Sequence, residues 1–464
     1  MTDMRFDLIL WGGTVVLPDR IAQVDIGVKD GKIAAIADRL PRGGCAEVDA
    51  CGHVVVPGGV DSHCHIEQIS GAGLMNADTF ETATRSAAMG GTTTTVSFAA
   101  QHPGRMMDGV VRDYTALAAR GALIDHAFHM IVSDTGNGNL ERDIPALIAQ
   151  GHRSIKVFTT YDKVRQDDKS ILDLLILARD AGGVVCFHAE NDGLIRHATA
   201  ALVAAGQTGA RYHAQSHPRA AEVEAIERMC HFAEYTGARI VIFHVSTTQG
   251  ADIVQAAQAR GVQVLAETCP HYLFMTEDVY ARDDPARFVC SPPPRAVADQ
   301  AALWDALAEG TIGMVTSDHA PYRMDASGKF AHGVDAPFTK IANGMPGLET
   351  RLPLMFDAMV SRGRMGLMAF AQVTATAPAQ AFGLVGKGAI ALGYDADLAM
   401  WDPMLRHTYG ANDLHDNAGY NPYQGISVTG LPVTVLSRGD VIVADRCVVA
   451  KPGRGRWLPM AAPG

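Results

Sequence analysis

Hydrophobic and polar positions alternate in two different ways along the chain. The first 57 residues carry short β-branched runs separated by Gly and Asp turns, a pattern typical of antiparallel strands. From Val54 onward, eight short apolar runs alternate with segments of helical period, such as residues 80–89 and 220–235. After about Gly383 the short strands and turns return.

The eight apolar runs predict the fold class. Strands that are mostly apolar, most of them followed by a crossover helix, are typical of a closed parallel (β/α)8 or TIM barrel of the α/β class, with an open doubly wound sheet as the alternative. Because both chain ends show the same pattern of short strands and turns, we expect them to build one small β-sandwich domain, with the barrel inserted between them. The expected limits are residues 1–57 and 384–464 for the β-sandwich and C-terminal tail, and 58–383 for the catalytic barrel.

Composition and charge exclude several classes of function. With 48% hydrophobic and 19% charged residues, the 464-residue chain is globular and not disordered. The formal net charge of −11 gives no reason to expect a nucleic acid or a membrane as partner. There is no signal-peptide pattern, no apolar run of ~18 residues, and no CxxC pair among eight cysteines. We therefore expect a soluble cytoplasmic enzyme.

Side chains that bind metal ions follow the predicted barrel strands where each strand ends. The first strand ends with His63 and His65, and because side chains alternate along a strand, both imidazoles face the same side. His188 and His244 follow the fifth and sixth strands in the same way. Four imidazoles at three strand ends indicate a site for a metal such as Zn²⁺, on the face that carries the active site in this fold.

Two further residues complete the candidate site. Asp318 follows the eighth strand, which closes on the first, so we predict a ligand and general base in preference to a helix cap. Lys156 lies inside the apolar run of the fourth strand, where an unpaired ammonium is costly. This lysine is either paired with a buried acid or carbamylated by CO₂ to N6-carboxylysine, an anion that would bridge two metal ions.

Seven segments, in order, resemble the cyclic-amidase branch of the binuclear amidohydrolase superfamily, which contains dihydropyrimidinases and hydantoinases. They are KVFTTY, HAEN, ETCPHYLF, CSPPPR, SDHAPY, NGMPGLE and NPYQG. The resemblance implies a metal-dependent hydrolase with two divalent ions per subunit, expected to be Zn²⁺. Its implied reaction opens a dihydropyrimidine or hydantoin ring to an N-carbamoyl amino acid by attack of a metal-bridging hydroxide.

The resemblance also assigns roles to single residues. One metal ion would be held by His63, His65, Lys156 and Asp318, and the other by Lys156, His188 and His244. Carboxylated Lys156 would bridge the two ions, and Asp318 would act as general base and later as acid. Tyr161, five residues after the lysine, would hydrogen-bond the oxyanion, and backbone groups at Ser291 and Asn343 would hold the ring. Relatives commonly form homotetramers, so we expect one here.

The motifs leave the particular substrate open. The loop after the histidine pair departs from the commonest pattern in relatives, where it lines the pocket for the ring substituent; Gly71, Ala72 and Gly73 predict a roomier or more mobile pocket. Allantoinase and cyclic-imide hydrolase are alternative activities. A dihydroorotase is disfavoured because Glu67 stands where such enzymes place an arginine for the substrate carboxylate. A non-catalytic scaffold is disfavoured because each predicted ligand position carries a competent residue.

Overall fold

The N-terminal pattern of short strands folds into one half of a mixed sheet. The computed structural model describes residues 5–71, 73–136 and 138–462. The strands before the barrel are β1 (Leu8–Val16), β2 (Ile21–Lys29), β3 (Lys32–Ala37), β4 (Ala46–Asp49) and β5 (Val54–Pro57). Strands β1, β2 and β3 pair antiparallel, whereas β4 and β5 pair parallel with β1. Leu10, Ile26 and Val55 belong to the buried apolar cluster of this sheet.

Parallel strands follow and form the barrel. In the described part of the chain there are eight: β6 (Gly59–Cys64), β7 (Thr92–Ala100), β8 (Asp125–Ile131), β9 (Ser154–Phe158), β10 (Val184–His188), β11 (Ile240–Ile242), β12 (Val264–Thr268) and β13 (Met314–Val315). They are hydrogen-bonded in chain order. The ring closes through a parallel bridge between Cys64 and His319. The predicted α/β barrel is therefore confirmed, and the open sheet is wrong.

The C-terminal strands complete the mixed sheet. They are β14 (Leu398–Thr408), β15 (Ser427–Ser437), β16 (Asp440–Ala444) and β17 (Cys447–Val448). Strand β14 pairs antiparallel with β5, so that both chain ends share one sheet of nine strands within the described residues. The prediction that the two ends assemble into one β unit beside the barrel is confirmed.

The run predicted as the first barrel strand, residues 54–65, is two strands. Its first part, β5, pairs with β1 and β14 of the mixed sheet, and its second part, β6, pairs with β7 of the barrel. The chain crosses between the two sheets at Gly58, where a Cβ atom would lie 2.3 Å from Thr93 Oγ1. Only glycine allows this close passage, and apolar periodicity alone does not reveal it.

Helices connect the barrel strands and cover their outer face. They are α1 (Phe80–Met89), α2 (Met107–Gly121), α3 (Ile144–Gln150), α4 (Asp168–Ala181), α5 (Asp192–Ala204), α6 (His213–Ser216), α7 (Arg219–Thr236), α8 (Thr248–Ala259), α9 (Pro270–Phe274), α10 (Val297–Glu309), α11 (Leu348–Phe356), α12 (Leu367–Ala371) and α13 (Ala377–Ala381). Gly182 and Gly237 end α4 and α7 with φ angles of 72° and 70°, a left-handed conformation that favours glycine. Within the described ranges, no helix has both the length and the apolar character needed to cross a membrane.

A buried ion pair fixes the seam where the barrel closes. Arg351 Nε lies 3.1 Å from Asp61 Oδ2, and both side chains are 0% exposed. The other oxygen, Asp61 Oδ1, accepts the backbone N–H groups of His63 and Ser317 at 3.2 Å each. Arg351 Nη1 also donates to backbone carbonyls on β6 and β13. The pair therefore sets the position of the first strand relative to the last, directly beside the predicted metal ligands.

Candidate active site

The residues predicted to bind metal ions converge at the carboxyl ends of the barrel strands. They are His63 in β6, His65 after it, Lys156 in β9, His188 at the end of β10, His244 after β11 and Asp318 after β13. The rings of His63 and His65 are 5.6 Å apart between centroids, and His63 and His244 are 5.5 Å apart. Alternation along β6 thus places both histidines of the pair on the lumen side, as side-chain geometry requires.

Three of these residues form a compact group suited to a metal ion. The Nε2 atoms of His63 and His65 lie 3.1 and 3.4 Å from the same oxygen, Oδ1 of Asp318. Burial alone would raise the pKa of Asp318, but the neighbouring histidines hold it well below its usual value. Two imidazoles and an ionised carboxylate are ligands that divalent metals such as Zn²⁺ accept.

His188 and His244 form a second group of potential ligands. Their ring centroids are 4.6 Å apart, and both side chains are buried. Lys156 lies close enough to interact electrostatically with both histidines and with Asp318. The lysine therefore lies near both groups of potential ligands.

Lys156 is a buried amine whose Nζ has no hydrogen-bond partner among the described residues. Its side chain is 1% exposed, and Nζ lies 4.2 Å from the ring centroid of Phe243 and 4.9 Å from that of Phe158. Burial lowers the pKa of Lys156 to about 8, so the neutral amine is reached much closer to neutral pH than for an ordinary lysine. The alternative prediction, a salt bridge to a buried acid, is not formed in the described part of the chain.

Most of the histidines are held by a partner on the ring nitrogen that faces away from these groups. The partners are Glu267 for His63 Nδ1, Gln68 for His65 Nδ1 at 2.8 Å, and Glu190 for His188 Nε2 at 2.8 Å. Partners of this kind fix the tautomer and orientation of histidines that bind metals. The opposite nitrogens of His63 and His65 are the ones that face Asp318. Together with the unpartnered Lys156, the residues present fit a site for two ions.

Sequence reasoning missed the two carboxylates that hold histidines. Glu190 follows His188 by two positions, so the alternation used for His63 and His65 would have placed both side chains on one side. Glu267 is the acidic residue at the end of β12, in an otherwise apolar run, and is 0% exposed. A buried acid beside a predicted histidine cluster is the signal that was available.

A hydrogen-bonded chain links His188 to two predicted substrate-binding residues. Glu190 Oε1 lies 2.9 Å from His217 Nδ1, and His217 Nε2 lies 3.3 Å from Ser291 Oγ. Ser291 is in turn hydrogen-bonded to Tyr161, whose ring is 5.2 Å from that of His188. Burial raises the pKa of Tyr161 well above its usual value, so its hydroxyl stays protonated and can donate.

Backbone strain marks three residues of the site. Tyr161, His244 and Asp318 have φ angles of 74°, 44° and 45°, in the left-handed region that non-glycine residues rarely adopt. Each such residue costs on the order of 1–3 kcal/mol and persists where the surrounding structure imposes it. The strain fits a cluster held in place for chemistry.

Asn343 lies on an exposed turn beside the segment that carries Ser291. The N–H of Gly344 donates to the carbonyl of Val289 at 2.9 Å, which joins the two segments. The same turn is hydrogen-bonded to the strand end that carries Asp318. The predicted ring-holding residues and the predicted base thus belong to adjoining backbone segments.

A second group of potential metal ligands surrounds the residue after Asp318. Its members are Asp78, His319 and Asp416. The Nδ1 atom of His319 accepts the N–H of Gly347 at 3.0 Å, so Nε2 carries the proton and donates to Asp78 at 2.8 Å. Burial, together with the charge of Asp78, raises the pKa of Asp416 to about 7. His319 is therefore tied to backbone and carboxylate, which orients the strand end that carries Asp318.

The loop after the histidine pair folds back on itself at the mouth of the barrel. Ile69 and Met75 form an antiparallel bridge and are 42% and 48% exposed. Ala72, which contributed to the prediction of a roomier pocket, lies outside the described residues. Glu67 faces outward, 2.9 Å from Arg120, and caps the N–H of Phe80.

Comparison with known proteins places the chain in a family. The Amidohydrolase family profile matches residues 54–442. The chain is 39% identical to a D-hydantoinase of Ralstonia pickettii over 97% of its own length and 98% of that protein. A solved dihydropyrimidinase from Brevibacillus agri superposes with a TM-score of 0.94 at 34% identity, covering 98% of this chain and 99% of that one. An L-hydantoinase (dihydropyrimidinase) from Arthrobacter aurescens gives 0.88 at 30% identity, covering 98% and 100%.

The chain belongs to the amidohydrolase family. Within that family it is a cyclic amidase of the hydantoinase and dihydropyrimidinase type, as the sequence motifs predict.

The contact between Glu267 and His63 yields a first testable prediction. Glu267→Ala removes the acceptor that fixes His63 Nδ1, so we expect metal affinity to fall by about 10- to 100-fold. The measurement is a competition titration against a chelator, read by elemental analysis of the protein. Glu309→Ala, at an exposed position on α10, is the matched control. Unchanged affinity in a folded Glu267→Ala protein would show that this carboxylate does not support a metal site.

Proposed function

We propose that this protein hydrolyses one amide bond of a cyclic ureide, a dihydropyrimidine or a hydantoin, and releases an N-carbamoyl amino acid. The observation that carries the proposal is the buried, unpartnered Lys156 close to two groups of metal-ligand residues. The names of the relatives supply the substrate class. Allantoin and cyclic imides are the alternative rings.

The proposed site holds two divalent ions, with Zn²⁺ as the expected metal. One ion would be bound by His63, His65 and Asp318, the other by His188 and His244, with carboxylated Lys156 shared between them. Carbamylation would replace a costly buried amine by an anion that two cations compensate. When bound, such ions polarise a carbonyl group and lower the pKa of water.

Asp318 and Tyr161 carry the proposed proton and charge chemistry. The ionised carboxylate of Asp318 accepts a proton from the attacking water as the C–O bond forms. The same proton then goes to the ring nitrogen as the C–N bond breaks, which balances the hydrolysis. The protonated Tyr161 hydroxyl donates a hydrogen bond to the oxygen of the attacked carbonyl, where negative charge develops.

Backbone groups at Ser291 and Asn343 are the proposed holders of the ring. Both lie on segments that are hydrogen-bonded to each other, so that their spacing is fixed. A ring amide offers an N–H donor and a carbonyl acceptor side by side, which backbone groups can match. Fixed backbone partners for the ring N–H and the ring carbonyl would orient the ring relative to Asp318.

We extend the proposal to organisation and location. The domain limits would be residues 1–57, 58–383 and 384–464, the assembly a homotetramer, and the location the cytoplasm. The eight cysteines are all free thiols, which fits a reducing compartment.

Ring opening by the metal-loaded protein is the direct test of the proposed function. We expect dihydrouracil, hydantoin and substituted hydantoins all to be opened, with N-carbamoyl products identified by mass spectrometry. Allantoin and a cyclic imide such as succinimide are assayed in parallel. If the protein turns over only allantoin or only the imide, that ring replaces dihydropyrimidines and hydantoins as the proposed substrate. Hydrolysis of none of these rings, with cleavage of a linear amide, would contradict the proposal.

Asp318→Asn tests the proposed base. Asparagine keeps the shape and one oxygen but cannot accept the proton, so we expect kcat to fall by about 10² to 10⁴ while part of the metal is retained. Asp335→Asn, at an exposed position after β13, is the control and should keep wild-type turnover. Turnover of the Asp318 variant within a few-fold of wild type would show that another group is the base.

A further inference from the structure

Lys329 is a second buried lysine, and none of the roles above uses it. Its side chain is 0% exposed, and Nζ donates to the carbonyl of Val289 at 3.0 Å and to that of Ala342 at 2.9 Å. Within the described residues, no carboxylate forms an ion pair with it. The hydrogen bonds of the Lys329 side chain therefore go to backbone carbonyls.

Burying this lysine costs free energy, so its two hydrogen bonds need an explanation. Burial without a counter-ion disfavours the ammonium and lowers the pKa of Lys329 to about 7. The neutral amine still carries two N–H groups, one for each carbonyl, so both bonds persist in either protonation state. A methionine would fill a similar space without any polar atom to bury. The two hydrogen bonds, and not packing, explain a lysine at this position.

Both carbonyls belong to the segments that carry the predicted ring-holding residues. Val289 lies two residues before Ser291, and Ala342 directly precedes Asn343. One direct bond joins the segments, from the N–H of Gly344 to the carbonyl of Val289. Lys329 adds a second connection that reaches across both. Without Lys329, the bond from Gly344 to Val289 would be the hydrogen bond left to hold these two segments at a fixed spacing.

The loop that carries Lys329 is built to aim it inward. The N–H of Lys329 donates to the carbonyl of Arg323 at 2.8 Å, and that of Gly328 to the carbonyl of Asp325 at 3.0 Å. A Cβ atom on Gly328 would lie 2.2 Å from the carbonyl oxygen of Arg323. This tight turn requires glycine and directs the next side chain into the protein.

We propose that Lys329 is a positioning residue for substrate, which clamps the segments of Ser291 and Asn343 at the spacing that the ring requires. The inference rests on the proposed function, because it takes these two residues as the holders of the ring. The Lys329 side chain donates its hydrogen bonds to these two segments and makes no hydrogen bond with Asp318, Tyr161 or the metal-ligand residues.

Steady-state kinetics of Lys329→Met tests the clamp. Interactions made equally with substrate and transition state change KM and not kcat. We therefore expect KM for dihydrouracil to rise about 10- to 100-fold, the equivalent of one or two hydrogen bonds, with kcat within about threefold of wild type. Lys340→Met is the matched control: this lysine is exposed and lies in the same stretch of chain, and its KM should not change.

Amide hydrogen exchange gives a readout that does not depend on activity. We expect the N–H of Gly344 to exchange faster in Lys329→Met than in wild type or Lys340→Met, while protection of the barrel strands is unchanged. If Lys329→Met does not fold, Lys329→Gln is used instead. Glutamine keeps a hydrogen-bond donor on a shorter side chain, so we expect an intermediate rise in KM.

The outcomes separate the clamp from the proposed function. A folded Lys329 variant with wild-type KM overturns the clamp. So does a loss of activity that appears in kcat alone, or one accompanied by faster hydrogen exchange throughout the barrel strands. If wild type opens no ring, the proposed function fails by itself. In that case, hydrogen exchange at Gly344 still decides whether Lys329 holds the two segments together.

Discussion

An amine buried without a partner is the constraint on which the rest of the site depends. Lys156 lies among phenylalanine rings in the lumen of a barrel, where burial disfavours its charge and no carboxylate of the described residues forms an ion pair with it. Removing the charge is therefore favoured, and conversion to a carbamate would make the lysine an anion that attracts cations. The potential ligands near it form two groups, one of His63, His65 and Asp318 and the other of His188 and His244.

The fold supplies the rigidity that such a cluster needs. The ion pair of Asp61 and Arg351 locks the first strand to the last, so that His63 and Asp318 meet at a fixed distance. Glu267 and Glu190 then hold individual imidazoles from behind. A buried pair of this kind adds little net stability, but it fixes position in a water-free seam. The positions of the candidate ligands at the strand ends thus depend on the buried residues that contact them from inside the barrel.

Much of this architecture is predictable from sequence because local rules and the global fold agree. Alternation along β6 places His63 and His65 together, and helical period locates α1 and α7 within a residue or two. What sequence does not reveal are contacts between distant segments. The chain crosses sheets at Gly58 because of Thr93, and Glu267 reaches His63 across the barrel lumen. From the sequence alone, Lys329 is indistinguishable from an ordinary loop residue. Its two carbonyl partners appear only in the structure.

Carbon-13 NMR after equilibration with labelled bicarbonate tests the central claim most directly. Lys156→Met is the matched control, since methionine suits the apolar surroundings and cannot react with CO₂. We expect a carbamate carbon signal in the metal-loaded wild type that is absent from the control. A preparation that opens rings at full rate and shows no carbamate signal would contradict it.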